Sequence, residues 1–166
     1  MKKIVARLAA GLATSFAASL ILAAPALAQV TVSFPWARAT VPAQKSSGAF
    51  MQLQSAQDAR LVGVSTPAAD NAELHEMAMT ADTMKMQQVQ AIDLPAGKSV
   101  KLASGGYHIM LLGLKQQLKE GDSLTLNLLI ETKDKQRKSV SVKVPVKPLT
   151  YVDLAKGAGM AHSHGG

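Results

Sequence analysis

Residues 123–131 read S-L-T-L-N-L-L-I-E. Leu124, Leu126, Leu128 and Ile130 alternate with Thr125, Asn127 and Leu129. Successive side chains of an extended chain point to opposite faces, so this period of two describes a strand with one face buried. The polar run D-K-Q-R-K, Asp134–Lys138, then reads as a hairpin loop, and Ser139–Val146 as the returning strand. Working outward, turn signals recur at intervals of about eight to twelve residues, with short β-rich runs between them. Those runs are Val30–Phe34, Gly48–Gln54, Arg60–Ser65, Ala72–Met79, Met84–Val89, Ser99–Leu102 and Tyr107–Leu112. Lys115–Asp122 offers one short helical turn before Gly121-Asp122 breaks it, and no segment carries a long capped helix. The expectation is an all-β domain, an antiparallel β-sandwich or barrel.

The two ends read differently from this middle. Lys2, Lys3 and Arg7 precede an apolar Ala- and Leu-rich run, and Ala26-Leu27-Ala28 forms an A-x-A cleavage signature. Gly11, Thr14, Ser15, Ser19 and Pro25 interrupt the run, which favours a cleaved secretory signal over a membrane span. The expected organisation is a signal peptide over 1–28, a β-domain over 29–152 and a Gly-rich flexible tail over 153–166. Cleavage after Ala28 would leave Gln29 first and place the protein in the periplasm, with no stable membrane insertion. The formal charge of +7 includes the three cations of the leader. The remaining lysines are scattered mostly after residue 97, as on a solvated face, and at most they would help docking onto an acidic partner. No arginine cluster interleaved with aromatics suggests nucleic acid. Cysteine is absent, which excludes a disulfide scaffold, thiolate catalysis and the His₂Cys site of blue-copper carriers.

Beyond the leader there are four histidines, His75, His108, His162 and His164. The stretch E-L-H-E-M-A-M puts His75, Met77 and Met79 on one strand face, and M-K-M puts Met84 and Met86 on one face of the next strand. With a hairpin loop at Thr80-Ala81-Asp82-Thr83, Met79 would pair with Met84 and Met77 with Met86, leaving His75 within diagonal reach. In G-G-Y-H-I-M-L-L-G, residues 105–113, His108 and Met110 again share a face. A lone strand histidine is ordinarily a satisfied core residue, and a lone methionine an adaptable filler. Here both histidines of the β-domain stand two residues from a methionine on the same face. Imidazoles and thioethers without carboxylate or thiolate form a soft donor set, suited to Cu(I) and ill suited to Zn²⁺, Mg²⁺ or Ca²⁺. Thioethers also survive an oxidising compartment that would couple cysteines into disulfides.

The spacing is H-x₁₀-M-x₂₁-H-x-M from His75 through Met86 and His108 to Met110. In this, and in P-W-A-R-A-T, L-P-A-G, G-G-Y-H-I-M-L and L-K-E-G-D, the chain resembles the periplasmic copper chaperones of the PCu(A)C type over roughly Phe34 to Val146. The resemblance implies a cupredoxin-like barrel with an exposed mononuclear Cu(I) site of His75, Met86, His108 and Met110. It also implies delivery to the binuclear copper centre of cytochrome c oxidase, to its subunit II or through another copper chaperone. Met77, Met79 and Met84 fall outside that ligand set and read equally as a transfer path or as packing. In the tail, Met160, His162 and His164 form an M-x-H-x-H string resembling the His/Met-rich extensions of some members. It would be a second position for copper, Cu(II) included.

An enzymatic reading finds little support. A histidine brace needs His where Gln29 stands, and hydrolysis lacks a G-x-S-x-G elbow. Copper sequestration without an onward target remains the alternative to delivery.

Overall fold

The structure, a computed structural model, describes residues 30–152. The leader with its cleavage site, and Met160, His162 and His164 of the tail, therefore lie outside the described residues. Among the described residues, ten strands make up the regular structure. They are β1 (Val30–Arg38), β2 (Ser46–Ser55), β3 (Ala59–Ser65), β4 (Ala69–Thr80) and β5 (Thr83–Gln88). After them come β6 (Ile92–Leu94), β7 (Ser99–Leu102), β8 (Tyr107–Leu114), β9 (Ser123–Thr132) and β10 (Arg137–Lys147).

The opening stretch behaves as its alternation requires. Leu124, Leu126, Leu128 and Ile130 of β9 are buried, and Leu124, Leu126 and Leu128 lie opposite Val144, Val142 and Val140 of β10. The loop is shorter than D-K-Q-R-K suggested. Arg137 and Lys138 already pair with Glu131 and Ile130, because the Glu131 carboxylate accepts from Arg137 Nε at 3.0 Å and Lys135 Nζ at 3.2 Å. On the far side of β9 lie β3 and then β6. The latter was not anticipated, since three residues are too few to show a period.

The second sheet runs β5-β4-β8-β2-β1, with β7 also on β2. All pairings are antiparallel except one. Ala37 and Arg38 of β1 run parallel to Val146 and Lys147 of β10, and this contact joins the two sheets. Reaching it requires a bulge, a shift of register between Ser33 and Trp36 where Phe34 takes a φ of 51°.

Between the sheets, Leu53, Ile109 and Leu111 from one meet Leu61, Leu126, Leu128 and Ile130 from the other. Fully burying each such side chain contributes about 1.5–3 kcal/mol, and none of these contacts involves the candidate metal ligands.

Among the described residues there is no helix, so the expected turn of helix at Lys115–Asp122 is corrected. Thr40 takes the bonds a helix would have made internally. Its N–H donates to Leu118 O at 2.9 Å, while its hydroxyl accepts from Leu118 N–H at 3.0 Å. Gln117 Nε2 donates to Thr40 O at 2.8 Å, and the loop lies flat with Leu118 buried.

Candidate metal centre

Strand β8 lies between β4 and β2, so both of its edges are paired. Leu74, Ile109 and Leu111 face the core. By alternation, His75 and His108 face the other way, yet both are buried, at 9% and 6% exposure. An aromatic wall explains this. The Phe50 ring lies 6.4 Å from His108, Trp36 lies 4.4 Å from Phe50, and Tyr151 lies 4.8 Å from Trp36, centroid to centroid. The Arg38 guanidinium caps the wall, 5.8 Å from the Trp36 ring and 5.9 Å from that of Phe50. Phe50 reaches His108 only by lying back over Gly48, where a Cβ would stand 2.8 Å from its ring.

The donors converge through strand register. His75 and His108 are direct partners across β4 and β8, with ring centroids 5.8 Å apart. On the other side of β4, Met77 faces Met86 and Met79 faces Met84, as the sequence pattern anticipates. Met86 Sδ comes within 3.3 Å of His108 Nε2. Met110, opposite both Glu73 and Gly48, lines a cleft of about 420 Å³ together with His108, Met77, Phe50 and Arg38.

Partners of the ring nitrogens decide what the site can do. A backbone carbonyl only accepts, so the 3.1 Å contact from His108 Nδ1 to Gly106 O places the proton on Nδ1. Nε2 is then a bare lone pair, facing a thioether that is also an acceptor. The Glu73 carboxylate likewise receives the proton of His75 Nε2 at 2.8 Å. That leaves His75 Nδ1 buried with no partner at all. Two unprotonated imidazole nitrogens and a thioether are collected with nothing to bind one another. A cation would satisfy such a set, and a soft one suits it. Two donors on one tetrahedral ion stand about 3.5 Å apart, given metal–nitrogen and metal–sulfur bonds of about 2.0–2.3 Å; the contact between His108 and Met86 has this dimension.

Neighbouring groups do not compete. Burial and the adjacent Glu76 raise the Tyr107 hydroxyl above its ordinary pKa of 10.0, so it stays a neutral phenol. Among the described residues, no three His, Cys, Asp or Glu side chains are placed to hold a metal. A site of three or more side chains among these residues would draw on sulfur. A separate cleft of about 380 Å³ between β3, β6 and β9 pairs its own charges, Arg60 with Asp93 and Lys135 with Glu131, and contains none of these donors.

Sequence reading had found the histidines and methionines but not Glu73, the Gly106 carbonyl or the aromatic wall. Period two from His75 places Glu73 on the same face, a signal available in E-L-H-E. Nothing in the sequence marks the Gly106 carbonyl.

Residues 30–146 match the family described as "Putative lipoprotein LpqE-like". A relative from Leifsonia xyli subsp. xyli, named "Putative lipoprotein Lxx21020", is 31% identical over 119 residues, spanning 71% of this chain and 69% of its own. Among solved structures, the copper-bound PCuAC domain from PmoF2 aligns with a TM-score of 0.58 at 21% identity, over 72% of this chain and 92% of that one. The apo PCuAC domain from PmoF1 gives 0.59 at 22%, over 72% and 93%. Apo-DR1885 from Deinococcus radiodurans gives 0.54 at 27%, over 89% and 97%. The fold is the cupredoxin-like β-fold of PCuAC domains.

Proposed function

Because the chain belongs to the LpqE-like family, we propose that it is an exported copper chaperone of the PCu(A)C type, holding one Cu(I) through His75, Met86, His108 and Met110. The observation that carries this reading is the pair of bare imidazole nitrogens, one facing a thioether and one buried without a partner. Copper on a PCuAC domain of the same fold supports it. So do the family description and the Leifsonia xyli relative, both worded as lipoprotein, a class of exported proteins, although these 166 residues contain no cysteine to carry a lipid.

The role is binding and hand-over rather than catalysis. Copper would enter and leave by ligand exchange beside His108, where Met86 is half exposed while both histidines stay covered. The acceptor we assign is the binuclear copper centre of cytochrome c oxidase, reached through subunit II or a second chaperone. Met160, His162 and His164 would form an auxiliary position for either oxidation state of copper.

X-ray absorption on the Cu(I)-loaded protein, with His162 and His164 changed to alanine, is expected to show mixed nitrogen and sulfur scatterers. A shell of nitrogen and oxygen alone rules the site out. Met110→Ala should weaken Cu(I) far more than Cu(II), because it removes a soft donor and leaves the imidazoles. Cells lacking the protein should fail to metallate the oxidase. Intact oxidase together with copper sensitivity would point instead to sequestration.

A further inference from the structure

Strand β5 is a free edge, and every one of its residues is exposed. Edge strands are usually guarded by charge or covered, because exposed apolar edges recruit other chains. Here Met79, Met84 and Met86 are 67%, 47% and 50% exposed. Packing does not account for them, since they are largely in solvent. Nor does general hydrophobicity: the run M-A-M-T-A-D-T-M-K-M from Met77 to Met86 contains no Leu, Ile, Val or aromatic residue. Its only large apolar side chains are thioethers.

Their register is specific. Met77 directs its backbone N–H away from β5, onto Gly106 O at 3.2 Å. Towards β5, the pair Met77–Met86 is therefore not hydrogen-bonded, the type in which opposite side chains lie closer, with Cα atoms about 4.5 Å apart. Two residues on, alternation makes Met79–Met84 a pair of the same type. The four methionines thus start from two close rungs on one face, about 6.5–7 Å apart along the strands. The inner rung ends at Met86, whose Sδ touches His108.

We infer that Met77, Met79 and Met84 form a second, thioether-only site for a soft monovalent ion, Cu(I) in the cell. From this site the ion steps through Met86 to the histidines. The inference rests on the copper reading above and adds to it an entry site. No electron moves: one thioether replaces another around Cu(I), and nothing is oxidised or reduced. Sulfur alone holds the ion more weakly than sulfur with imidazole, so occupancy rises from the tip inward, as a loading path requires. Because the two sites share a hairpin, transfer between them is intramolecular.

The test is NMR of the full chain with ¹³C-methyl methionine, titrated without oxygen first with Cu(I) and then with Ag⁺ as a redox-inert probe. The first equivalent should shift the Met86 and Met110 methyls, and further metal those of Met77, Met79 and Met84. His75→Ala/His108→Ala removes the inner nitrogens and should leave the outer shifts in place. Met79→Leu/Met84→Leu, on an exposed rung, should keep the inner affinity while loading from a Cu(I)–chelator complex slows by about tenfold or more. Met79 and Met84 methyls that stay still while Met86 and Met110 respond overturn the ladder and leave the inner site intact. An unchanged loading rate in the leucine variant overturns its role in entry. Silence at every methyl with both ions overturns the ladder and the copper reading together.

Discussion

At 2.8 Å from His75 Nε2, the Glu73 carboxylate fixes both the orientation and the tautomer of that ring. In the proposed site it would be a positioning residue, acting on copper only through His75. Outer partners of this kind typically cost about 10–100-fold in metal affinity when removed. Glu73→Gln should therefore lower Cu(I) affinity by that order in competition titrations, with little change in melting temperature because the carboxylate is partly exposed. Unchanged affinity would mean that His75 Nδ1 is not a donor. The candidate donors were legible in the sequence because a soft set leaves a conspicuous spacing where cysteine is missing. Their supporting partners were less so. Glu73 and Glu76 flank His75 almost symmetrically in E-L-H-E, and only the strand period tells them apart. Which nitrogen is free depends on side-chain reach, and composition does not encode it.

The β4–β5 hairpin shows how far pattern alone carries an element. Its register follows from methionines at every second position around a short turn, and β4 and β5 pair accordingly. The wall behind His108 could not be read this way. It depends on a bulge at Phe34-Pro35 that brings Trp36 opposite Phe50, and on Gly48 leaving room for the Phe50 ring. Gly48→Ala should push that ring away, which costs about 1–3 kcal/mol as overpacking. It should also change the near-ultraviolet signal of Trp36 and weaken copper binding, as the cover over His108 lifts. Leu128→Ala is the contrasting change. It opens a cavity on the core side of another sheet and should cost about 2–5 kcal/mol in urea unfolding, with copper affinity per folded molecule unaltered. A Gly48→Ala protein that binds copper normally would show that the wall is dispensable.

At the scale of the whole molecule, much of the stability comes from the sheet that does not carry the candidate site, and the titrations of the fold should reflect this. Bonds from Arg137 and Lys135 hold the Glu131 carboxyl below its ordinary pKa of 4.5. A carboxyl with a depressed folded pKa stabilises the fold above its unfolded value, and loses that contribution as pH falls through the folded one. Stability of the apo-protein should therefore decline as pH drops below the ordinary carboxylate range. Glu131→Gln should start lower and decline less steeply, as read from urea midpoints; parallel curves for the two proteins would contradict this role. The facing of β4 and β8 carries a separate evolutionary consequence. Leu74 and Ile109 stand beside His75 and His108 in the chain but on the opposite surface. Deleting or inserting a single residue upstream within either strand would exchange them, sending an imidazole into the hydrocarbon interior and a leucine or isoleucine out to the candidate metal face. Descendants of this chain can change many letters in these strands, but lengths within them can vary only by even steps or at the turns.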